Sequence, residues 1–135
     1  MLQQILKIIP ATINADSDLS ATLSSDVYFD EVPPDGTVGM PYITYHVVGG
    51  PSPMMVFDPN TSWDEVLVQV SIFEDTLHNP AAIEIIASDV DLLFHRQILS
   101  FDGATHVGCV RSGGTGPTRL DDCWQRTIDY TIELL

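Results

Sequence analysis

The chain has 135 residues, 44% of them hydrophobic and 18% charged, with a formal net charge of −14 at pH 7. That length supports one domain with its own core, and that composition excludes wholesale disorder. No apolar run approaches the roughly 18 residues that span a bilayer, and so acidic a field disfavours a grip on DNA, RNA or anionic membrane, where affinity comes from clustered cations.

The layout of the charge says more than its size. Residues 8–95 hold fourteen Asp and Glu and no Lys or Arg, while the other five acids are set against Lys7, Arg96, Arg111, Arg119 and Arg126. The ordinary use of such acidity is solubility. The opening MLQQILKIIPATINA carries one Lys and breaks at Pro10, which makes a poor secretory signal, so a cytosolic life is the expectation.

Leu2, Ile5, Leu6 and Ile9 fall at helical spacing, and Pro10 is expected to interrupt or end that helix. A second short helical turn is expected next, capped by Asp16 or Ser17, with Leu19 and Leu23 apolar. Val27–Phe29 favours a strand. The following DEVPPDGTVGMP is acidic and broken by proline and glycine, which makes turns and rules out a central strand. Tyr42–Val48 alternates as a strand, and Gly49-Gly50-Pro51-Ser52-Pro53 is expected to stop it. Met54–Phe57 reads as a brief extended segment and 58–62 as a loop. EVLVQVSIFED at 65–75 is the clearest strand, apolar on both faces, and is expected to be central and covered on both sides.

Asn79 and Pro80 open a helix predicted to run to about Arg96. Ile83, Ile86, Val90, Leu93 and Phe94 are its predicted buried stripe, with Glu84, Asp89 and Asp91 facing out. Ile98–Phe101 and Thr105–Arg111 read as strands around a turn at Asp102-Gly103, and SGGTGP at 112–117 as a flexible hairpin tip. The chain finishes on CWQRTIDYTIELL, with Trp124, Ile128, Tyr130, Ile132 and Leu134 on one face and polar residues on the other. This order predicts an α+β fold: a single domain with a mainly antiparallel β-sheet flanked by helices on one face.

Chemical motifs are sparse. Cys109 and Cys123 flank 112–117, so a hairpin there would bring them close; in a reducing cytosol they are expected as free thiols and small core or sheet residues. His46, His78, His95 and His106 lack ligand spacing. Asp16-Ala-Asp18 and Asp89-Val-Asp91 lack the glycine and terminal Glu of a calcium loop. The glycine-rich 112–116 has no following Lys and opens no helix, so it does not cradle phosphate. Asp121-Asp122 have no nucleophile beside them, and no nucleophile elbow occurs. These patterns give no catalytic residue, no metal and no cofactor as the expectation, which weighs against an enzyme without excluding one, since sites assemble in space.

What remains are loops at 30–41, 49–64 and 112–121 that are long for a small domain. Met54-Met55-Val56-Phe57 is apolar between turn signals, and Trp63 lies beyond it. Burial is the ordinary fate of any one of these. Together with short strands and an open sheet edge, they suit a subunit that packs against copies of itself.

The order of a short N-terminal helix, VYFDEVPPDG, MPYITYHVVG, VLVQVSIFED, AAIEIIASDVDLLF and a closing WQRTIDYTIEL resembles the tail-completion or tail-terminator proteins of long-tailed, siphovirus-like bacteriophages over nearly the whole chain. Segments 10–26 and 49–64 are longer here than in the usual short form. The resemblance implies a non-enzymatic tail-terminator-like domain over 1–135 that forms a ring, typically a hexamer, at the head-proximal end of the tail. Such a ring stops tube growth, joins tail to head and lets DNA pass through its lumen without specific binding. Implied partners are further copies of the chain, the tail-tube protein and a head connector or head-closure protein, with no membrane. The implied location is the virion, after assembly in the host cytoplasm. A neighbouring neck subunit (head-closure or connector-adaptor) is the second expectation, and a small ligand-binding or hydrolytic domain the third. On the ring reading, Met54, Met55, Phe57, Arg111 and Arg119 are candidate interaction residues, with both arginines meeting acidic neighbours. Asp30, Glu31 and Asp35 are then surface or lumen charge.

Overall fold

Four alternate residues, Val66, Val68, Val70 and Ile72, have no exposure, and the strand that carries them, β3 (Trp63–Asp75), is the middle of the sheet. A computed structural model describes residues 2–23, 27–29, 39–54, 63–75, 79–99, 106–120 and 122–134. β3 pairs antiparallel with β2 (Tyr42–Met54) on one side and β5 (Cys123–Leu134) on the other. Val68 lies between Val47 and Tyr130, and Val70 between Tyr45 and Ile128. β4 (His106–Arg119) adds antiparallel to β5 and forms one edge, while β1 (Val27–Phe29) lies parallel to β2 and forms the other. The order is β1-β2-β3-β5-β4. The α+β expectation holds, with one parallel pair in an otherwise antiparallel sheet.

Three helices follow from local signals. In α1 (Leu2–Asn14), Ile5, Ile9 and Ile13 recur every four residues and are buried. Asp16 caps α2 (Ser17–Thr22) by accepting from the Leu19 N–H at 3.0 Å, and Leu19 is buried. Asn79 caps α3 (Pro80–Phe94) by accepting from the Ala81 N–H at 2.7 Å. The α3 stripe is Ile83, Ile86, Ala87, Val90 and Phe94, with Leu93 half-buried beside it. Each fully buried Ile, Val or Phe contributes about 1.5–3 kcal/mol of hydrophobic stabilisation.

Phe94 meets Tyr130 with ring centroids 5.4 Å apart, and the Tyr45 hydroxyl reaches the Leu6 carbonyl. Tyr45 and Tyr130 share a face of the sheet through Val70–Ile128 and Val68, so α1 and α3 cover the same face. Leu67 and Phe73 on the opposite face are half-buried. β3 is therefore central, but among the described residues helices cover it on one face only.

Proline and glycine mislead at three places. Pro10 lies inside α1 rather than ending it. β2 runs on through Gly49–Pro53 to Met54, with register shifts between Val47 and Gly49 and between Gly49 and Ser52; bulges absorb residues that a regular ladder rejects. β4 likewise runs through 112–117, so that segment is strand and not a hairpin tip. Gly114 has φ +138, and a Cβ there would collide with the Thr127 carbonyl oxygen.

The cysteines are not brought together. Cys109 pairs with Ile132, which lies nine residues beyond Cys123 on β5, about 30 Å at ~3.4 Å per residue. Both are buried free thiols. Residues 97–99 form no strand, and 100–105 lie outside the described residues. No helix among the described residues is long and apolar enough to cross a membrane.

Candidate functional site

Asp91, near the end of α3, ties the helix layer to the sheet edge. Its Oδ1 accepts from the Tyr130 hydroxyl at 2.9 Å, and its Oδ2 pairs with the Arg111 guanidinium at 2.6 Å. Tyr130 is buried on β5, and Arg111 lies opposite it on β4. One turn further, the Arg111 N–H donates to His95 Nδ1 at 3.0 Å, and the Arg96 N–H donates to the Cys109 carbonyl at 2.7 Å. The turn after α3 thus occupies part of the outer side of β4. Arg96 achieves this with φ +59, a left-handed conformation uncommon for a residue with a Cβ.

The chemistry of this node is structural. Burial, aided by the Asp91 charge, pushes the Cys109 thiol up to about 12, so it is not a thiolate nucleophile at neutral pH. Burial, then the hydrogen bond to Asp91, pushes the Tyr130 hydroxyl well above its ordinary range. Among the described residues no group of three or more His, Cys, Asp or Glu is arranged to hold a metal ion.

Of the residues singled out in the sequence, Met54 is the last residue of β2, opposite Trp63. Met55, Phe57, Asp30, Glu31 and Asp35 lie outside the described residues. Arg111 and Arg119 both sit on β4, at opposite ends of its exposed stretch. The acid that Arg111 meets is Asp91 of its own chain; Arg119 is exposed opposite Trp124 and forms no ion pair among the described residues. Glu84 and Asp91, expected to face solvent, instead pair with Arg126 and Arg111. α3 instead presents Ile85 and Leu92 to solvent, 65% and 73% exposed.

The sheet face away from the helices has a distinct character. A row of hydroxyls crosses all five strands, from Tyr28 through Thr44, Ser71 and Thr127 to Thr115. Thr127 and Thr115 hydroxyls lie 2.7 Å apart. The next row holds His46, Gln69 and Asp129, with Gln69 Nε2 donating to Asp129 Oδ1 at 3.0 Å. Two rows on, Glu65 and Glu133 stand directly opposite each other. Arg111, Arg119 and Arg126 align with Tyr130, Trp124 and Ile72, on the helix side. The face away from the helices therefore carries no Lys or Arg among the described residues, and Thr44, Ser71 and Thr127 on it are buried.

No family model matches the chain, and no curated protein matches it. Among solved structures, a chain of the virion of a native gene transfer agent particle aligns with a TM-score of 0.78 over 98% of this chain and 96% of its own, at 17% identity. The chain shares the fold of that virion protein. A second solved protein, one without a functional name, aligns with a TM-score of 0.62 over 99% of this chain and 92% of its own, at 13% identity. The shared fold runs nearly end to end in each pair, so it is the whole domain and not a common hairpin that corresponds.

Within that fold, the residues that sequence reasoning missed are Asp91, Tyr130, His95 and Arg96. One signal was present: a Tyr in a buried alternating strand requires a partner for its hydroxyl, and a helix residue thirty-nine positions earlier supplies it.

Proposed function

We propose that the chain is a non-enzymatic structural subunit of a phage-like virion, and that copies of it form a ring, of hexameric type, at the head-proximal end of the tail. There the ring ends the tail tube and joins it to the head. The observation that carries this reading is the end-to-end likeness to a chain of a gene transfer agent virion. The charge distribution supports it. Glu65, Asp129 and Glu133 lie on a sheet face without Lys or Arg among the described residues, and such a wall lets a polyanion pass without gripping it. The buried, raised Cys109 thiol and the internally bonded Asp91 support a scaffold role over chemistry.

The test is the native mass of the purified chain, alone and mixed with tail-tube protein, together with negative-stain images. A closed ring of several copies with a central hole, capping tube ends, is the expected result. A strict monomer at high concentration in both preparations would sink the reading. Rings that bind the head connector and ignore tube ends would move the chain to a neighbouring neck position. For the head-joining role, reversal of Arg119 is the clean probe, because a Glu at position 111 would face Asp91 and strain the fold itself.

A further inference from the structure

On α3, Ile85, Asp89 and Leu92 recur at spacings of four and three, which puts them on one face of the helix. That face is turned away from the sheet: Ile85 and Leu92 are exposed, while Ile86 and Val90 on the opposite side are buried. The chain turns at Arg96, two residues past the helix, and Ile98 follows, 82% exposed. From Ile85 to Ile98 this surface therefore runs apolar, acid, apolar, cation, apolar, with Leu92 near its middle. Asp89 and Arg96 form no ion pair among the described residues, whereas Glu84 and Asp91 on the flank are taken up by Arg126 and Arg111. Large apolar side chains exposed in one patch around unpaired charges mark a contact surface.

We infer that this face docks on the same face of a second copy, with the two α3 helices antiparallel about a two-fold axis near Leu92. At ~1.5 Å per residue, Asp89 lies about 4.5 Å before Leu92 and Arg96 about 6 Å after it. Antiparallel packing therefore brings each Asp89 to the Arg96 of the other copy, sets Leu92 against Leu92, and turns Ile85 toward Ile98. A parallel arrangement would set Asp89 against Asp89 and Arg96 against Arg96, so the charges select the antiparallel one. Apolar burial supplies the affinity, and the two reciprocal ion pairs fix the register. One helix face from each copy makes a small interface, so the contact is weak and reversible. It is also isologous, hence complete with two copies, and it cannot propagate around a ring. The inference goes beyond the assembly reading above and does not depend on it.

Charge exchange tests it, with Asp89→Arg and Arg96→Glu made separately. Neither side chain has an ion-pair partner among the described residues, so both variants are expected to fold, as circular dichroism and a thermal melt check. Sedimentation across a concentration series reads association, at about 0.15 M salt so that repulsion between two chains of net charge −14 is screened beyond ~8 Å. The wild type should reach a two-copy species, or paired rings where rings form. Each variant alone should need about ten-fold more protein to do so. An equimolar mixture of the two should regain wild-type association, because each reversed charge then meets its opposite on the other chain. As a second reading, Leu92→Cys should cross-link between copies on mild oxidation at least about ten-fold faster than Ser88→Cys, since position 92 alone lies at the axis; the native Cys109 and Cys123 are buried. Variants that associate like the wild type, or equal cross-linking at both positions, would overturn the two-fold face, and rings seen in the same samples would leave the assembly reading standing without it. A wild type that stays monomeric throughout overturns it as well, and images with tube protein then decide the assembly reading separately. Protection of Leu92→Cys from a maleimide only when tube protein is added would give the face to that partner and not to a second copy.

Discussion

The Tyr45 hydroxyl donates to the Leu6 carbonyl at 2.9 Å, and Leu6 is the residue four before Pro10. A helix residue at position 10 would normally give its N–H to that carbonyl, but proline has none. Tyr45, buried on β2, supplies the missing donor from the sheet, thirty-nine residues away in the chain. Pro10 is therefore compatible with α1 because the tertiary structure satisfies the group it orphans.

Tyr45→Phe should cost about 1–3 kcal/mol, the penalty of leaving a part-buried carbonyl unsatisfied. Pro10→Ala restores the helical donor and should itself stabilise, by up to about 3 kcal/mol. Made in the Pro10→Ala background, Tyr45→Phe should cost less, a coupling that a double-mutant cycle in urea measures directly. Equal costs in both backgrounds would mean that the hydroxyl does not replace the lost N–H.

Gly114 and Gly116 offer a matched pair on one strand. At Gly114 a Cβ would meet the Thr127 carbonyl oxygen, and φ is +138; at Gly116 nothing lies within 4 Å and φ is ordinary. Gly114→Ala should destabilise by about 2–4 kcal/mol, whereas Gly116→Ala should stay within about 0.5 kcal/mol of the wild type. Thermal melts of the two variants decide it, and similar shifts would remove the claim that Gly114 is required by close backbone approach.

The same contrast explains what the sequence discloses and what it hides. Val66, Val68, Val70 and Ile72 announce β3 because alternation is local, and Asn79-Pro80 announces α3 because a cap is local. Pro10 within α1, the run of β2 through Gly49–Pro53 and the run of β4 through Gly113–Pro117 are decided by partners distant in the chain. The cysteines show the limit from the other side. A hairpin was legible, but register sets which residues meet, and it places Cys109 against Ile132 and Cys123 against Asp75. The Asp91–Arg111–Tyr130 node was hidden for a related reason, since an acid on a helix surface looks solvated until the strand beneath it is known.

Cys109 also contributes to a loss of stability at alkaline pH. Its thiol ordinarily titrates near 9.0 and is pushed up to about 12 in the fold, first by burial and then by Asp91. The folded chain keeps a proton that the unfolded chain releases, so unfolding gains as pH rises. The stability that Cys109 contributes is fully present below about pH 9 and is lost progressively toward pH 12. Tyr130, raised from 10.0 by burial and then by its bond to Asp91, adds a further loss above about pH 10. Cys109→Ala should lower stability at neutral pH by about 1 kcal/mol through the small cavity, yet flatten the decline above pH 9. Urea titrations at several pH values separate offset from slope, and an unchanged slope in the variant would assign the alkaline loss elsewhere.

Arg96 holds backbone strain at one position. It follows the α3 cap in a left-handed conformation where helices commonly place glycine. Its N–H bond to the Cys109 carbonyl at 2.7 Å needs only the backbone. Arg96→Gly should keep that bond and relieve the Cβ strain, which exceeds the added entropy of an unfolded glycine by a modest margin. The expected gain is about 0.5–1 kcal/mol, a rise in Tm of about 2–5 °C for a domain of this size. A thermal melt reads the effect directly, and a lower Tm would show that the arginine side chain itself supports the fold.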